Sequence, residues 1–297
     1  MTRGKVNRQT GLSDDQLYSL LSRPSAVSDI NTISTFLSSP CHDLPLEDSV
    51  DTVFVLLGSS VLPLFAAVAQ SILTRHGKTT LVISGGRGHS TQYLYDAVAG
   101  HPVYHTLADK IQGLSEAEVI QTLLLGFWPD LRLKLESDQL RLMIEDRSTN
   151  CGSNAMETKR VLQEAGISPE RIHIIQDPTM HRRTLLCFMK AYGIDPTTAK
   201  NQRPDLRGWT FEPTIAASVT GVPRWDIQMN RLGGIERHDL WNYARFFSLI
   251  MGEIPRLRDD GDGYGPRGAG FIPHEDIPHD VESAWRRLND EIAAIEP

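Results

Sequence analysis

Leu81-Val-Ile-Ser-Gly-Gly-Arg-Gly-His-Ser-Thr91 is the stretch on which the fold turns. A short apolar run empties into glycines, then hydroxyls, then the start of a helical pattern. A strand that stops at Ser84 and continues into Gly85, Gly86 and Gly88 offers bare backbone amides that an anionic ligand can approach closely. His89, Ser90 and Thr91 add polar side chains at the start of the next helix. The glycines follow the second strand rather than the first, which separates the pattern from the usual dinucleotide turn. Three glycines after one strand do not name a ligand.

Outward from this stretch, short apolar runs alternate with amphipathic ones. Residues 52–57, 79–84, 140–145, 171–176 and 214–219 read as strands, and 62–76, 91–99, 115–127, 153–165, 181–192 and 239–251 as helices. Strands apolar on both faces, separated by helices, predict a mostly parallel sheet covered on each side: an α/β, Rossmann-like three-layer sandwich. Ser115 with Glu118 fits a capping box, and Gly77, Gly166 and Gly193 each follow a periodic stretch where a C-terminal glycine belongs. Residues 1–48 form a helical lead-in, 49–220 the α/β domain, and 221–297 an extension with helices, a Gly/Asp/Arg-rich loop and a final amphipathic helix over 281–295.

Composition narrows the class of function. The 297 residues carry a net charge of −7, which argues against a nucleic-acid partner and for a small molecule. The three cysteines, Cys41, Cys151 and Cys187, show no CxxC spacing, so neither a disulfide framework nor a structural zinc site is expected. No apolar run reaches bilayer-spanning length and no secretory pattern opens the chain. A cytoplasmic protein without a membrane partner is the expectation.

In an open parallel sheet, ligands bind beyond the carboxyl ends of the strands. Four such places are polar here: Gly58-Ser59-Ser60; Gly85 to Thr91; Glu145-Asp-Arg-Ser148-Thr149-Asn150-Cys151 with Asn154; and Asp177-Pro-Thr179-Met180-His181-Arg182-Arg183. In the third, any one of Ser148, Thr149 and Asn150 is explained as a helix cap, whereas the whole set suits a ribose diol, or water or metal beside a phosphate. Glu145 and Asp177 are the candidate acids or bases and His181 a candidate base. Cys151 is either a nucleophile at a helix start or a small buried side chain. Arg182 and Arg183 either clamp an oxyanion or pair with neighbouring acids. Arg256, Arg258, Tyr264 and Arg267 lie in a loop whose aspartates miss EF-hand spacing, and which reads as a flap over the sheet end.

Leu56-Leu-Gly-Ser-Ser-Val-Leu-Pro63, Ile83-Ser-Gly-Gly-Arg-Gly-His-Ser-Thr91, Ser115-Glu-Ala-Glu118, Ile144-Glu-Asp-Arg-Ser-Thr-Asn-Cys-Gly-Ser-Asn-Ala155 and Gln176-Asp-Pro-Thr-Met-His-Arg-Arg-Thr184 together resemble the YdcF-like family. That group belongs to a wider domain family containing the SanA and ElyC envelope proteins, and the resemblance covers roughly residues 50 to 280. It implies a Rossmann-like fold and binding of S-adenosylmethionine, and it attaches no reaction. It also implies site roles for Ser84, Gly85 and Gly86, for Glu116 within Ser-Glu-Ala, and for Glu145, Ser148, Thr149, Asn150 and Asn154. Many members carry His-Met-x-Arg after the fourth strand, where this chain has Thr179, Met180, His181 and Arg182. Histidine chemistry of the membrane-anchored relatives is therefore not transferred.

Three readings follow. One is an enzyme that uses S-adenosylmethionine for methyl transfer, aminocarboxypropyl transfer or lyase-type cleavage. Another is a metal-assisted hydrolase or transferase of nucleotide or sugar-phosphate compounds, which alone needs a divalent metal and draws on Arg182, Arg183, Arg256 and Arg258. The last is a non-catalytic sensor of S-adenosylmethionine.

Overall fold

A computed structural model describes residues 12–42, 51–196, 203–216, 223–227 and 237–295. In chain order its elements are α1 (Asp14–Leu21), α2 (Pro24–Ser38), β1 (Thr52–Leu57), α3 (Pro63–Thr74), β2 (Thr79–Ser84), α4 (Thr91–Gly100), α5 (Ala108–Ile111), α6 (Glu116–Phe127) and α7 (Asp130–Glu136). They continue with β3 (Leu140–Glu145), α8 (Cys151–Glu164), β4 (Arg171–Ile175), α9 (His181–Tyr192), β5 (Asp205–Trp209), β6 (Pro213–Ala216), β7 (Arg224–Ile227), α10 (Tyr243–Leu257) and α11 (His279–Ile295).

The expected α/β architecture is the one observed. Five parallel strands run in the order β3-β2-β1-β4-β5. Val53 through Leu57 are all buried, as a strand covered on both faces must be. Register brings Leu56 beside Ile83 on one side and Ile175 on the other, so three strand ends finish level. Strand order reverses between β1 and β4, which opens a crevice at their carboxyl ends. One hydrophobic core runs from Leu17 in α1 to Leu288 in α11. The expected divisions at 48/49 and 220/221 fall outside the described residues.

Local chemistry explains the element ends. Ser115 and Glu118 form the predicted capping box of α6, and α9 stops at Gly193, whose left-handed φ of 69° suits a C-terminal cap. The lead-in helix α2 is tied to β6 by Asn31, which donates to the Ile215 carbonyl at 2.9 Å and accepts its amide at 2.8 Å. Arg287 of α11 forks onto Asp29 of α2.

One expectation is corrected. The fifth strand of the main sheet is 205–209 rather than 214–219: residues 213–216 form an antiparallel pair with β7 outside that sheet, and 217–219 lie outside the described residues. Asp-Leu-Arg-Gly-Trp looks too polar for a core strand because it is an edge strand, with Asp205 paired both to Arg207 and to Arg171. Its Gly208 is required by packing, since a Cβ there would lie 2.3 Å from the His181 ring.

Candidate functional site

The crevice at the β1/β4 reversal is assembled from five parts of the chain. Gly58, Ser59 and Ser60 leave β1, and Asp177 and Met180 follow β4. From the glycine loop and α4 come Ser90, Tyr93 and Leu94, from α6 its first residue, Glu116, and from α10 Arg245 and Leu249. Backbone bonds fix this meeting: Gly58 donates to the Ser84 carbonyl at 3.1 Å, and Ala117 donates to the Gly85 carbonyl at 2.8 Å. These bonds hold the start of α6 against the glycine loop, so Glu116 folds back over β1. Its carboxylate occupies the space a side chain at position 58 would need; a Cβ on Gly58 would sit 1.8 Å from Oε2.

Both acids of the crevice are biased towards the neutral form. Burial pushes the Glu116 carboxyl up, although Ser90 and Thr91 hydroxyls donate to Oε1 at 3.0 and 3.1 Å and pull it back. Burial likewise raises Asp177, against lowering by the Thr179 hydroxyl at 2.6 Å, the Thr179 amide at 2.9 Å, the Trp241 indole at 3.1 Å and the charge of Arg245. Carboxyls perturbed by burial inside a cleft are a mark of functional sites. The crevice is narrow, with about 20 Å³ of space for water centres, on the order of one solvent molecule.

The other acid cluster is spent on structure. Glu145 is 1% exposed and its two oxygens accept from the amides of Arg147 and Ser148 and the hydroxyls of Ser84 and Ser148, at 2.7–2.9 Å. Four donors leave no room for a substrate, and Glu145 does not line the crevice. Ser148 also accepts the Gly86 amide. Asn150 caps α8 through the Ser153 amide, Ser153 in turn accepts from the amides of Thr149 and Asn150, and the Asn154 amide donates to the Asn150 carbonyl. Gly88 donates to Thr91, and His89 is exposed. Thr179 and Met180 stand at the crevice, Thr179 through its two bonds to Asp177.

The predicted basic residues are also placed elsewhere. His181, fully buried, donates from Nε2 to the Pro40 carbonyl at 2.9 Å, and burial lowers it to about 4. It packs under the lead-in segment on Gly208, so the structure removes it as a base at the crevice. Arg182 pairs with Glu275 and stacks on Phe36, while Arg183 forks onto buried Glu253, which also holds Arg256. Arg258 pairs with Glu282 and Arg267 with Asp259. Tyr264 lies against Arg183, and Phe271 reaches Gly152 at the start of α8. None of these residues lines the crevice, so the expected flap is instead a folded loop joining helices. Cys151 is buried and accepts from the Thr184 hydroxyl, which matches a packed side chain.

Two other places contrast with the crevice. His101, His238 and Asp239 come together, but His101 Nδ1 accepts the amides of Val103 and Tyr104, which leaves its proton on Nε2, facing Asp239 at 3.1 Å. A ring nitrogen that carries the proton is not a metal ligand. An open groove of about 830 Å³ runs along α2 beside Ile215 and Pro278, with Asp280 the one ionisable residue among the described residues that line it. It is larger than the crevice and holds none of the candidate residues, so the chemistry favours the crevice.

Sequence reading missed Tyr93, Trp241 and Arg245 entirely. The available signal for Arg245 was a lone charge in the otherwise uncharged run from Leu240 to Gly252. No family model matches the chain. Among the described residues, no helix is long and apolar enough to cross a membrane.

Proposed function

We propose that this protein is an enzyme that binds S-adenosylmethionine, or a closely related adenosyl ligand, in the crevice at the carboxyl ends of β1 and β4. The observation that carries the reading is the pair of carboxyls, buried Asp177 and half-buried Glu116, facing one crevice over a glycine floor. A ligand bearing a sulfonium and an ammonium adds positive charge beside those acids, and binding draws them towards the ionised form. The position at the strand reversal is where such folds receive nucleotide-like ligands. Resemblance to the YdcF-like family, carried by the same Gly58, Ser84 to Gly86 and Glu116 motifs, supports the same ligand.

Access requires the crevice to open. Its sheet side is fixed by buried strands, whereas its outer side is the exposed Tyr93 ring with the Arg245 guanidinium 3.9 Å from its centre. The phosphate-directed reading gains no support from the arginines it invoked, because Arg182, Arg183, Arg256 and Arg258 each face a glutamate outside the crevice.

Isothermal titration with S-adenosylmethionine tests the binding: saturation below about 1 mM, a free energy of about −4 kcal/mol or better, is expected. Absence of heat and of displacement at that concentration overturns it. Prolonged incubation followed by mass spectrometry separates enzyme from sensor, since an enzyme alters the ligand when its second substrate is supplied from cell extract, and a sensor returns it unchanged.

A further inference from the structure

We infer that Arg245 is the oxyanion anchor of the crevice, taking a carboxylate or phosphate group of the bound ligand. Arg245 is the third residue of α10, held by the Asn242 cap that accepts its amide at 2.8 Å, while Phe246, Phe247 and Ile250 beside it are buried in the core. The backbone at Arg245 is thus anchored, and its side chain reaches the crevice from a defined helix start. Its Nε is buried and has no hydrogen-bond partner, an arrangement that costs free energy unless something else occupies that donor.

Its charge reaches Asp177, but it is not held in an ion pair. Among the described residues no carboxylate lies within ion-pair distance of it, in contrast to Arg182, Arg183, Arg256 and Arg258. The two acids that share the crevice are spoken for: Glu116 by Ser90 and Thr91, Asp177 by Thr179 and Trp241. The ring of Tyr93 holds the guanidinium face, which leaves its edge, with the N–H groups that fork onto planar oxyanions, as the part that can bind. Ser59 and Ser60 line the same crevice and add hydroxyls.

This inference deepens the proposed function and rests on the same crevice, so the test is built to fail separately from it. The wild-type chain, Arg245→Gln and Arg245→Lys are titrated with S-adenosylmethionine and with its decarboxylated form, which keeps the sulfonium and the amine and lacks only the carboxylate. Wild type is expected to prefer the carboxylated ligand by roughly 10- to 100-fold, and Arg245→Gln to bind the two within about 2-fold. Arg245→Lys, which keeps the charge and loses the fork, is expected to fall between; it carries the comparison if the glutamine variant melts early. Undiminished preference in the variants overturns the anchor and leaves the ligand assignment standing. If wild type binds neither compound, the assignment falls, and AMP is compared with adenosine. A preference for AMP that disappears in Arg245→Gln keeps the anchor with phosphate as its partner, and equal or absent binding of the two overturns it as well.

Discussion

The carboxyl ends of β3 and of the β1/β4 pair carry equally polar sequence, and the fold uses them in opposite ways. At β3, Glu145 receives three hydrogen bonds from its own loop and one from Ser84 of β2, and is sealed. At β1/β4, Asp177 and Glu116 also accept bonds, yet they border a crevice with an arginine that, among the described residues, is in no ion pair and whose Nε has no hydrogen-bond partner. Polar density at a strand end therefore does not distinguish a scaffold from a site. What distinguishes them is whether donors and charges balance locally. The β3 cluster balances; the crevice is left with a cation on one wall and two acids biased to the neutral form on the other.

Substitutions that treat the two ends alike would break this contrast. The largest expected effect is on stability: Glu145→Ala strips the acceptor from two amides and two hydroxyls and is expected to cost about 2–3 kcal/mol in urea unfolding. Its affinity for S-adenosylmethionine should stay within about 3-fold, and a selective loss of binding at unchanged stability would move the site to β3.

Glu116→Gln should do the reverse. The amide oxygen can still accept from Ser90 and Thr91, so the midpoint of unfolding is expected to shift little, while affinity for the cationic ligand falls about 10-fold, or about 1.4 kcal/mol. Equal affinity in the variant would deny Glu116 a charge role.

His181 sharpens the comparison because it lies four residues from Asp177 and belongs to the scaffold. Its folded-state value of about 4, lowered by burial, means the unfolded chain binds the proton first as pH falls below about 6.5. Stability from this group is therefore present above pH 6.5 and lost as pH falls towards 4. Replacing it by His181→Asn should flatten the stability-against-pH slope in that window by up to about 1.4 kcal/mol per pH unit, without changing ligand affinity at pH 7.5. An unchanged slope would mean that the ring is not held neutral. The smallest effect expected is that of Asn150→Ala, about 1 kcal/mol for the loss of the α8 cap, again with binding unaffected.

Much of the fold was legible because its signals are local. Continuous apolar runs gave four of the five parallel strands, and Ser115 with Glu118 gave the α6 cap. β5 was not legible, since an edge strand satisfies its polar side chains by cross-strand pairs that no single segment reveals. The site was legible in part. Gly58, Glu116, Asp177 and Met180 were named from strand ends and motif resemblance, and they do line the crevice. Arg245 was not, because α10 follows β4 by almost seventy residues and only tertiary packing brings it over the sheet; Tyr93 of α4 was not, because its role beside the crevice comes from its contact with Arg245. Conversely, Arg182, Arg183 and His181 sit at the correct strand end in sequence, but α9 turns them towards α2, α10 and the loop before α11. A helix start sends side chains to several sides, and sequence does not say which side is the crevice.

Amide and indole chemical shifts recorded during titration with S-adenosylmethionine test the central claim most directly, because they locate the ligand while measuring it. Perturbations are expected to cluster at Gly58 to Ser60, Tyr93, Glu116, Asp177, the Trp241 indole and Arg245, with Glu145 to Asn154 and Arg256 to Arg267 little changed. Shifts concentrated instead in Glu145 to Asn154 or Arg256 to Arg267, or no shifts at saturating ligand, would contradict it.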